Sequence, residues 1–335
     1  MSILKRVLAT FRMPGVAWSF SRIGYRRHAR RFNPTDLDVS LAGRHYAVTG
    51  ANTGIGFAIA KALAKREAHV LMLCRNKARG EAARQQIAES KEASKYGSGS
   101  ERGSVRLEVV DVADPSSIDD FLARVSLPRL DALIHNAGAL VHERIESPWG
   151  VELTFACHVL GPHRLTHGLR SHLERAASEN DTPRVIYASS GGMYWERLRV
   201  DHLLKPPQPF DGVRAYALAK RAQVVLAQQW AARWPHLRFF AMHPGWVDTQ
   251  GVERALPRFY ETTRRWLRRP EEGADTSVWL AASPSLDLEN GAFVFDRAQA
   301  PRHLLPSTRA DHSERSRLWE VVEDLALNTF CAQVV

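Results

Sequence analysis

The sequence predicts an α/β fold: a doubly wound parallel sheet with helices on both faces. Three observations carry this. Short apolar runs and helical patterns alternate from Arg44 onward, as βαβ units do. The run HVLMLC (69–74) is continuously apolar, as a strand covered on both faces should be. The first β-rich run ends in a glycine-rich turn, TGANTGIG (49–56), that leads straight into a helical pattern.

In chain order, HYAVTG (45–50) is the first strand. Residues 54–66 are helical, with Ile55, Ile59 and Leu63 about one turn apart. HVLMLC follows as the second strand, and 76–93 as a polar helix. KEASKYGSGSERGS (91–104) is a loop by composition. VRLEVVD (105–111), LDALIHN (130–136), RVIYASS (184–190) and LRFFAMH (237–243) are further strands with helices between them, and Gly291–Phe295 adds one more. Residues 311–328 form a closing helix. The chain shows no internal repeat. The expected division is a basic extension over 1–40, one nucleotide-binding catalytic domain over 41–300 and a helical tail over 301–335.

The 335 residues are 44% hydrophobic, enough for a sizeable core. The net charge of +10 is concentrated at one end. Residues 1–31 hold Lys5, Arg6, Arg12, Arg22, Arg26, Arg27, Arg30 and Arg31 and no acid, which leaves 38 basic and 36 acidic residues in the remainder. That distribution argues against nucleic acid as a partner. Three readings of residues 1–31 stand open: an interfacial helix on anionic membrane, an Arg-rich targeting presequence, or an extra helix packed on the domain with a solvated basic face. No run approaches the roughly 18 apolar residues of a membrane span. Cys74, Cys157 and Cys331 are widely spaced and odd in number, which suits a reducing, cytoplasmic setting rather than a disulfide framework.

The turn TGANTGIG has the context of a phosphate site. Its glycines permit a sharp strand-to-helix turn, close backbone approach to a pyrophosphate and tight helix packing. The helix start then offers N–H groups and a positive dipole end. The second strand ends Leu73-Cys74-Arg75-Asn76, without the carboxylate that would grip a ribose hydroxyl. Arg75 can instead meet a 2′-phosphate, so NADP(H) is favoured over NAD(H).

TGANTGIG, Asp111, Asn136-Ala137-Gly138, Ser190, Tyr216, Lys220 and HPGWVDT (243–249) occur in the order seen in the short-chain dehydrogenase/reductase family. Over residues 40–300 the chain resembles that family, and its details resemble the retinol-dehydrogenase-like branch. The resemblance implies a Rossmann-type domain with a seven-stranded parallel sheet. It implies that Gly50, Asn52, Thr53, Gly54, Ile55 and Gly56 line the cofactor diphosphate, with Asp111 and Val112 near the adenine. Asn136, Ala137 and Gly138 would lie near the ribose, and Pro244, Gly245, Val247 and Thr249 beside the nicotinamide. Lys220 would hold the nicotinamide ribose and lower the pKa of Tyr216.

The spacing of Tyr216 and Lys220 has its own chemical logic. Hydride transfer to a carbonyl leaves an alkoxide that needs a proton. A phenol with an ordinary pKa of about 10 is a poor donor at neutral pH unless a neighbouring cation tunes it. Four residues apart on a helix, the two side chains share a face. Ser190 ends the fifth strand at the ligand-binding edge of the sheet and can hold the substrate oxygen. Ser189 faces the other way. The Ser190–Tyr216 gap of 26 residues, with Pro206, Pro207 and Pro209 in the insert, resembles the retinol-dehydrogenase-like branch.

One position departs from the family. Where an asparagine usually kinks the fourth helix and holds a relay water, CHVLG (157–161) puts His158. His158 either replaces the asparagine in the relay, weakens the relay, or is a buried, hydrogen-bonded histidine. His163 and His167 are four apart on a helix, but no third ligand is evident, so no metal is expected. Trp195, Trp246 and Trp266 either line an apolar pocket or belong to the core. Two functions compete. One is an NADP(H)-dependent carbonyl reductase or alcohol dehydrogenase for a lipophilic substrate such as a retinoid, steroid or lipid-derived aldehyde. The other is a nucleotide-binding regulatory or scaffold protein. Homo-oligomerisation stays an open expectation.

Overall fold

A computed structural model describes residues 14–91, 103–178 and 181–328. Most of the loop expected over 91–104, residues 1–13 of the basic extension and Cys331 lie outside the described residues. The strands are β1 (His45–Thr49), β2 (His69–Cys74), β3 (Val105–Val109), β4 (Ala132–His135), β5 (Arg184–Ala188), β6 (Arg238–His243), β7 (Phe293–Phe295) and β8 (Ala298–Gln299). They form one sheet in the order β3-β2-β1-β4-β5-β6-β7-β8. The first seven are parallel. The two-residue β8 returns antiparallel on β7, so the expected seven-stranded sheet gains a short hairpin edge.

The labelled helices are α1 (Pro14–Phe20), α2 (Arg22–Ala29), α3 (Gly54–Ala64), α4 (Lys77–Lys91), α5 (Pro115–Arg124), α6 (Gly161–Gly168), α7 (Gly212–Arg233), α8 (Pro270–Ala282) and α9 (His312–Glu323). The strands divide their side chains between two cores. Val185, Tyr187, Phe239 and Ala241 pack with α5, α6, α7 and α9 on one face. Ile186, Ala188, Phe240 and Met242 pack with α3, α4 and α8 on the other. This period of two is why β5 and β6 read as unbroken apolar runs. Fully covering a residue such as Phe239 or Phe240 contributes roughly 1.5–3 kcal/mol. The strand order reverses between β1 and β4, and their carboxyl ends open the crevice where ligands bind in such sheets.

The described part of the extension packs on the domain. Phe20 is buried and meets the rings of His243, Trp246 and Phe295 edge-on at 4.4, 6.0 and 5.3 Å. Ser21 caps α2, its Oγ accepting from Gly24 N at 3.3 Å. Arg26, Arg27, Arg30 and Arg31 stay exposed, beside the exposed Trp18 and Ile23. Over these residues the segment is two short helices that pack on the domain through Phe20 and Ser21 and leave the four arginines in solvent. No helix among the described residues is long and apolar enough to cross a membrane.

A buried ion pair holds this extension against the loop after β6. Arg268 donates to both oxygens of Asp296, at 2.6 and 2.8 Å, and both side chains are almost wholly buried. The same guanidinium donates to Ser19 O (2.8 Å), Phe20 O (3.0 Å) and Pro244 O (3.3 Å). His28 Nδ1 meets Asp296 Oδ2 at 2.6 Å. A buried charge stripped of its partner is strongly destabilising, typically by about 3–5 kcal/mol. Asp296→Asn should lower the urea midpoint by an amount equivalent to at least about 3 kcal/mol, and the paired apolar replacement Arg268→Met with Asp296→Leu should recover part of it. Urea titrations of both variants check this; an unchanged midpoint for Asp296→Asn would contradict it.

Candidate active site

The site grows from the end of β1. Thr49 Oγ1 accepts from the main-chain N–H groups of Asn136 and Ala137, each at 2.9 Å, which fastens β1 to the end of β4. Asn136 Nδ2 donates to Thr49 O at 3.1 Å and to Gly50 O at 3.4 Å. The Asn136 side chain thus ties down the glycine-rich turn. A Cβ at Gly56 would stand 2.3 Å from Gly50 O and 2.4 Å from Asn136 Nδ2, so no larger residue fits that crossing. Gly54 takes φ +55° and lies against Thr249, whose methyl would be 3.1 Å from a Cβ there. The loop after β6 therefore reaches the turn, with Val247 buried beneath it and Pro244 and Gly245 partly exposed.

Helix α3 starts at Gly54 with no side-chain cap from Thr53 and no acid in its first turn. Its first N–H groups suit an anion, and Asn52, Thr53 and Ile55 stand partly or fully exposed around them. Arg75, Lys77 and Arg79 are exposed where β2 passes into α4. Asn76 Oδ1 accepts from Arg79 N at 2.9 Å and fixes that turn. None of the three cations has an ion-pair partner among the described residues, and no carboxylate lies between Cys74 and Arg79. Asp111, past the end of β3, accepts from Ala113 N at 2.9 Å through Oδ1, while Val112 is buried. These donors and open turns fit a dinucleotide carrying several phosphates.

The proton-bearing groups converge at the ends of β4 and β5. Ser190 lies close enough to the Tyr216 hydroxyl to act on its titration, and its Oγ accepts from Gly192 N at 3.2 Å. Ser189 turns away, as strand alternation predicts: its buried Oγ donates to Lys220 O at 2.8 Å. Lys220 is 3% exposed, and its Nζ donates to Ala188 O at 2.6 Å, beneath the Tyr216 ring at 5.3 Å from the ring centroid. Burial pulls the Lys220 ammonium down to about 7. Tyr216 is half-buried, yet desolvation pushes its phenol up to about 12, against the lowering effect of nearby Ser190. Desolvation sets the direction here, and a lowering by Lys220 is not among the causes. The ammonium is turned toward the Ala188 carbonyl.

His158 sits in a five-residue π-turn, Ala156–Leu160, that precedes α6. Its Nε2 lies 2.9 Å from Ala139 O and 3.2 Å from Ala139 N, so either tautomer meets one main-chain group. Its ring packs against Gly138 and stands edge-on to Tyr216, with centroids 5.2 Å apart. Burial, then the Lys220 charge, push its imidazole well below the ordinary value, so it is neutral. The carbonyl of His158, freed by the wide turn, accepts from Gln223 Nε2 at 2.9 Å. Sequence reasoning missed Gln223; its only signal was its place one turn beyond Lys220. His158 makes no hydrogen bond to Lys220 or Tyr216 and instead props the end of β4. Trp246 packs on Phe20 and Phe259, at 6.0 and 5.3 Å.

The chain is similar to known proteins along most of its length. A sequence model described as short chain dehydrogenase matches residues 44–193. Dehydrogenase/reductase SDR family member 12 of Bos taurus is 39% identical over 310 residues, covering 92% of this chain and 94% of the relative. Retinol dehydrogenase 14 of Homo sapiens is 29% identical over 297 residues, covering 84% and 86%. A solved structure from Beutenbergia cavernae, provisionally assigned as an NAD(P) dependent gluconate 5-dehydrogenase and holding NADP at low occupancy, is 26% identical. It superposes with a TM-score of 0.57, covering 77% of this chain and 96% of that one. With the turn, the strand-end serine and the tyrosine–lysine helix all in place, the chain belongs to the short-chain dehydrogenase/reductase family and is an oxidoreductase of that kind.

Proposed function

We propose that the protein is an NADP(H)-dependent oxidoreductase acting on the carbonyl or alcohol of a lipophilic substrate. The observation that carries this is Tyr216 set over the buried ammonium of Lys220 at the strand end that carries Ser190, beside a helix start open to phosphate. When bound, the nicotinamide supplies or takes the hydride. In reduction, Ser190 holds the substrate oxygen and Tyr216 gives it the proton as charge develops there. Tyr216 keeps that proton at neutral pH, because desolvation raises its pKa. Lys220 stands one helical turn below; its ammonium is fully present below neutrality, about half present near 7 and lost as pH rises further. His158 acts as a positioning residue, holding Ala139 and the edge of Tyr216, and the proton path runs without it.

The preference for the phosphorylated cofactor is supported by Arg75, Lys77 and Arg79 at the end of β2, where a planar guanidinium can fork onto a 2′-phosphate. The lipophilic substrate class is supported by the partly exposed Leu140, Val141 and Trp246 on the loops after β4 and β6, and by a relative named for retinol.

Two measurements test these assignments. Purified protein should oxidise NADPH with apolar aldehydes or ketones, and Tyr216→Phe should lose at least about 100-fold in turnover while still binding NADPH. Equal inactivity of both proteins, with NADPH bound, would favour the regulatory or scaffold reading. Arg75→Glu should weaken NADPH binding by about 10- to 100-fold and leave NADH binding nearly unchanged, measured by fluorescence titration. An unchanged NADPH to NADH affinity ratio would remove the cofactor preference.

A further inference from the structure

His163 and His167 lie one turn apart on α6, and Glu323, the last residue of α9, faces them from 156 residues further along the chain. His163 Nε2 stands 3.0 Å and His167 Nε2 3.2 Å from one carboxylate oxygen, Glu323 Oε1. One donor atom from each residue falls within 4.8 Å of the other two. A tetrahedral zinc with bonds of about 2.0–2.1 Å separates its ligand atoms by about 3.3–3.4 Å. The two imidazole–carboxylate spacings are within a few tenths of an ångström of that edge, and the two imidazole nitrogens lie within 4.8 Å of each other. The sequence offered only the histidine pair; the fold supplies the third ligand.

We propose that His163, His167 and Glu323 bind one divalent transition-metal ion, with Zn²⁺ the best-fitting probe. Two imidazoles and one carboxylate are a zinc-type donor set, and they are poorly matched to Mg²⁺ or Ca²⁺, which take oxygen ligands. The donors are held in place. Trp230 and Trp319 pack on the His163 ring with centroids 4.9 and 5.1 Å away, and Trp230 and Trp234 pack on His167 at 5.2 and 5.7 Å. Arg164, between the histidines, donates to Ala326 O and anchors the chain just beyond Glu323. His163 Nδ1 is buried without a hydrogen-bond partner among the described residues, so no acceptor or donor there dictates the tautomer. His163 is buried, whereas the side chains of His167 and Glu323 are 25% and 28% exposed. A fourth coordination position therefore opens toward water. The ion would join α9 to α6, the helix that leads back through the π-turn to His158. The site is independent of the hydride-transfer assignment.

The test uses the tag-free full chain, stripped with chelator, incubated with Zn²⁺ and gel-filtered. Elemental analysis should find one zinc per chain in the wild type and none in Glu323→Gln or His167→Gln. Zn²⁺ at about 100 times its dissociation constant should raise the wild-type melting temperature by about 5 °C and leave both variants unmoved. In EDTA the zinc-dependent rise should vanish from the wild type, whatever each variant's own metal-free melting temperature. Zinc absent from the wild type, or retained equally by all three, would overturn the proposal. Should a variant fail to fold, Co²⁺ added to the wild type decides. Intense visible bands of a four-coordinate ion support the site, and the weak spectrum of aqueous Co²⁺ refutes it.

Discussion

The arrangement depends on one buried cation. Lys220 is enclosed in the middle of α7, and its Nζ has Ala188 O, the last carbonyl of β5, as its acceptor. Enclosing an ammonium is costly, and a single carbonyl offsets only part of that cost, which is why the Lys220 pKa falls to about 7. The contact fixes the register of α7 against β5, and Ser189 reinforces it from the strand by donating to Lys220 O. With that register set, Tyr216 lies one turn earlier on the same helix face and meets Ser190. A shift of one residue along α7 would rotate the pair away from the strand ends.

The rest of the site is framed by contacts made far apart in the chain. Asn136 and Thr49 lash the glycine-rich turn to β4, and Thr249 brings the loop after β6 over Gly54. Arg268 and Asp296 hold that loop from behind and draw the N-terminal segment against it, with Trp246 N donating to Phe20 O at 2.8 Å. The extension thus becomes part of the wall behind the loop after β6. His158, unusual in sequence, fills the space below Gly138 and braces the end of β4.

Local features were legible in the sequence and tertiary ones were not. The strands stood out because burial on both faces leaves apolar runs, as in HVLMLC and LRFFAMH. Gly50, Gly54 and Gly56, Ser190, Tyr216 and Lys220 stood out because each answers a local requirement of turn, strand end or helix face. Glu323 did not, because its partner His163 is 160 residues away and only packing unites them. Arg268 looked like one more arginine in RRWLRRP, and its burial depends on Asp296 and on carbonyls from residues 19–21. The strand β8 spans two residues, too short for any periodicity. The desolvation that raises the Tyr216 phenol was not legible either, because spacing reveals a neighbouring charge but not burial.

Isotope transfer tests the central claim most directly. NADPH carrying deuterium at the transferable position of nicotinamide C4, turned over with an apolar aldehyde, should deliver that deuterium to the carbinol carbon of the product alcohol. Mass spectrometry then finds one deuterium per product molecule, whatever the solvent. Alcohol formed without the label, or NADPH bound with no alcohol formed across a broad panel of apolar carbonyls, would contradict hydride transfer at this site.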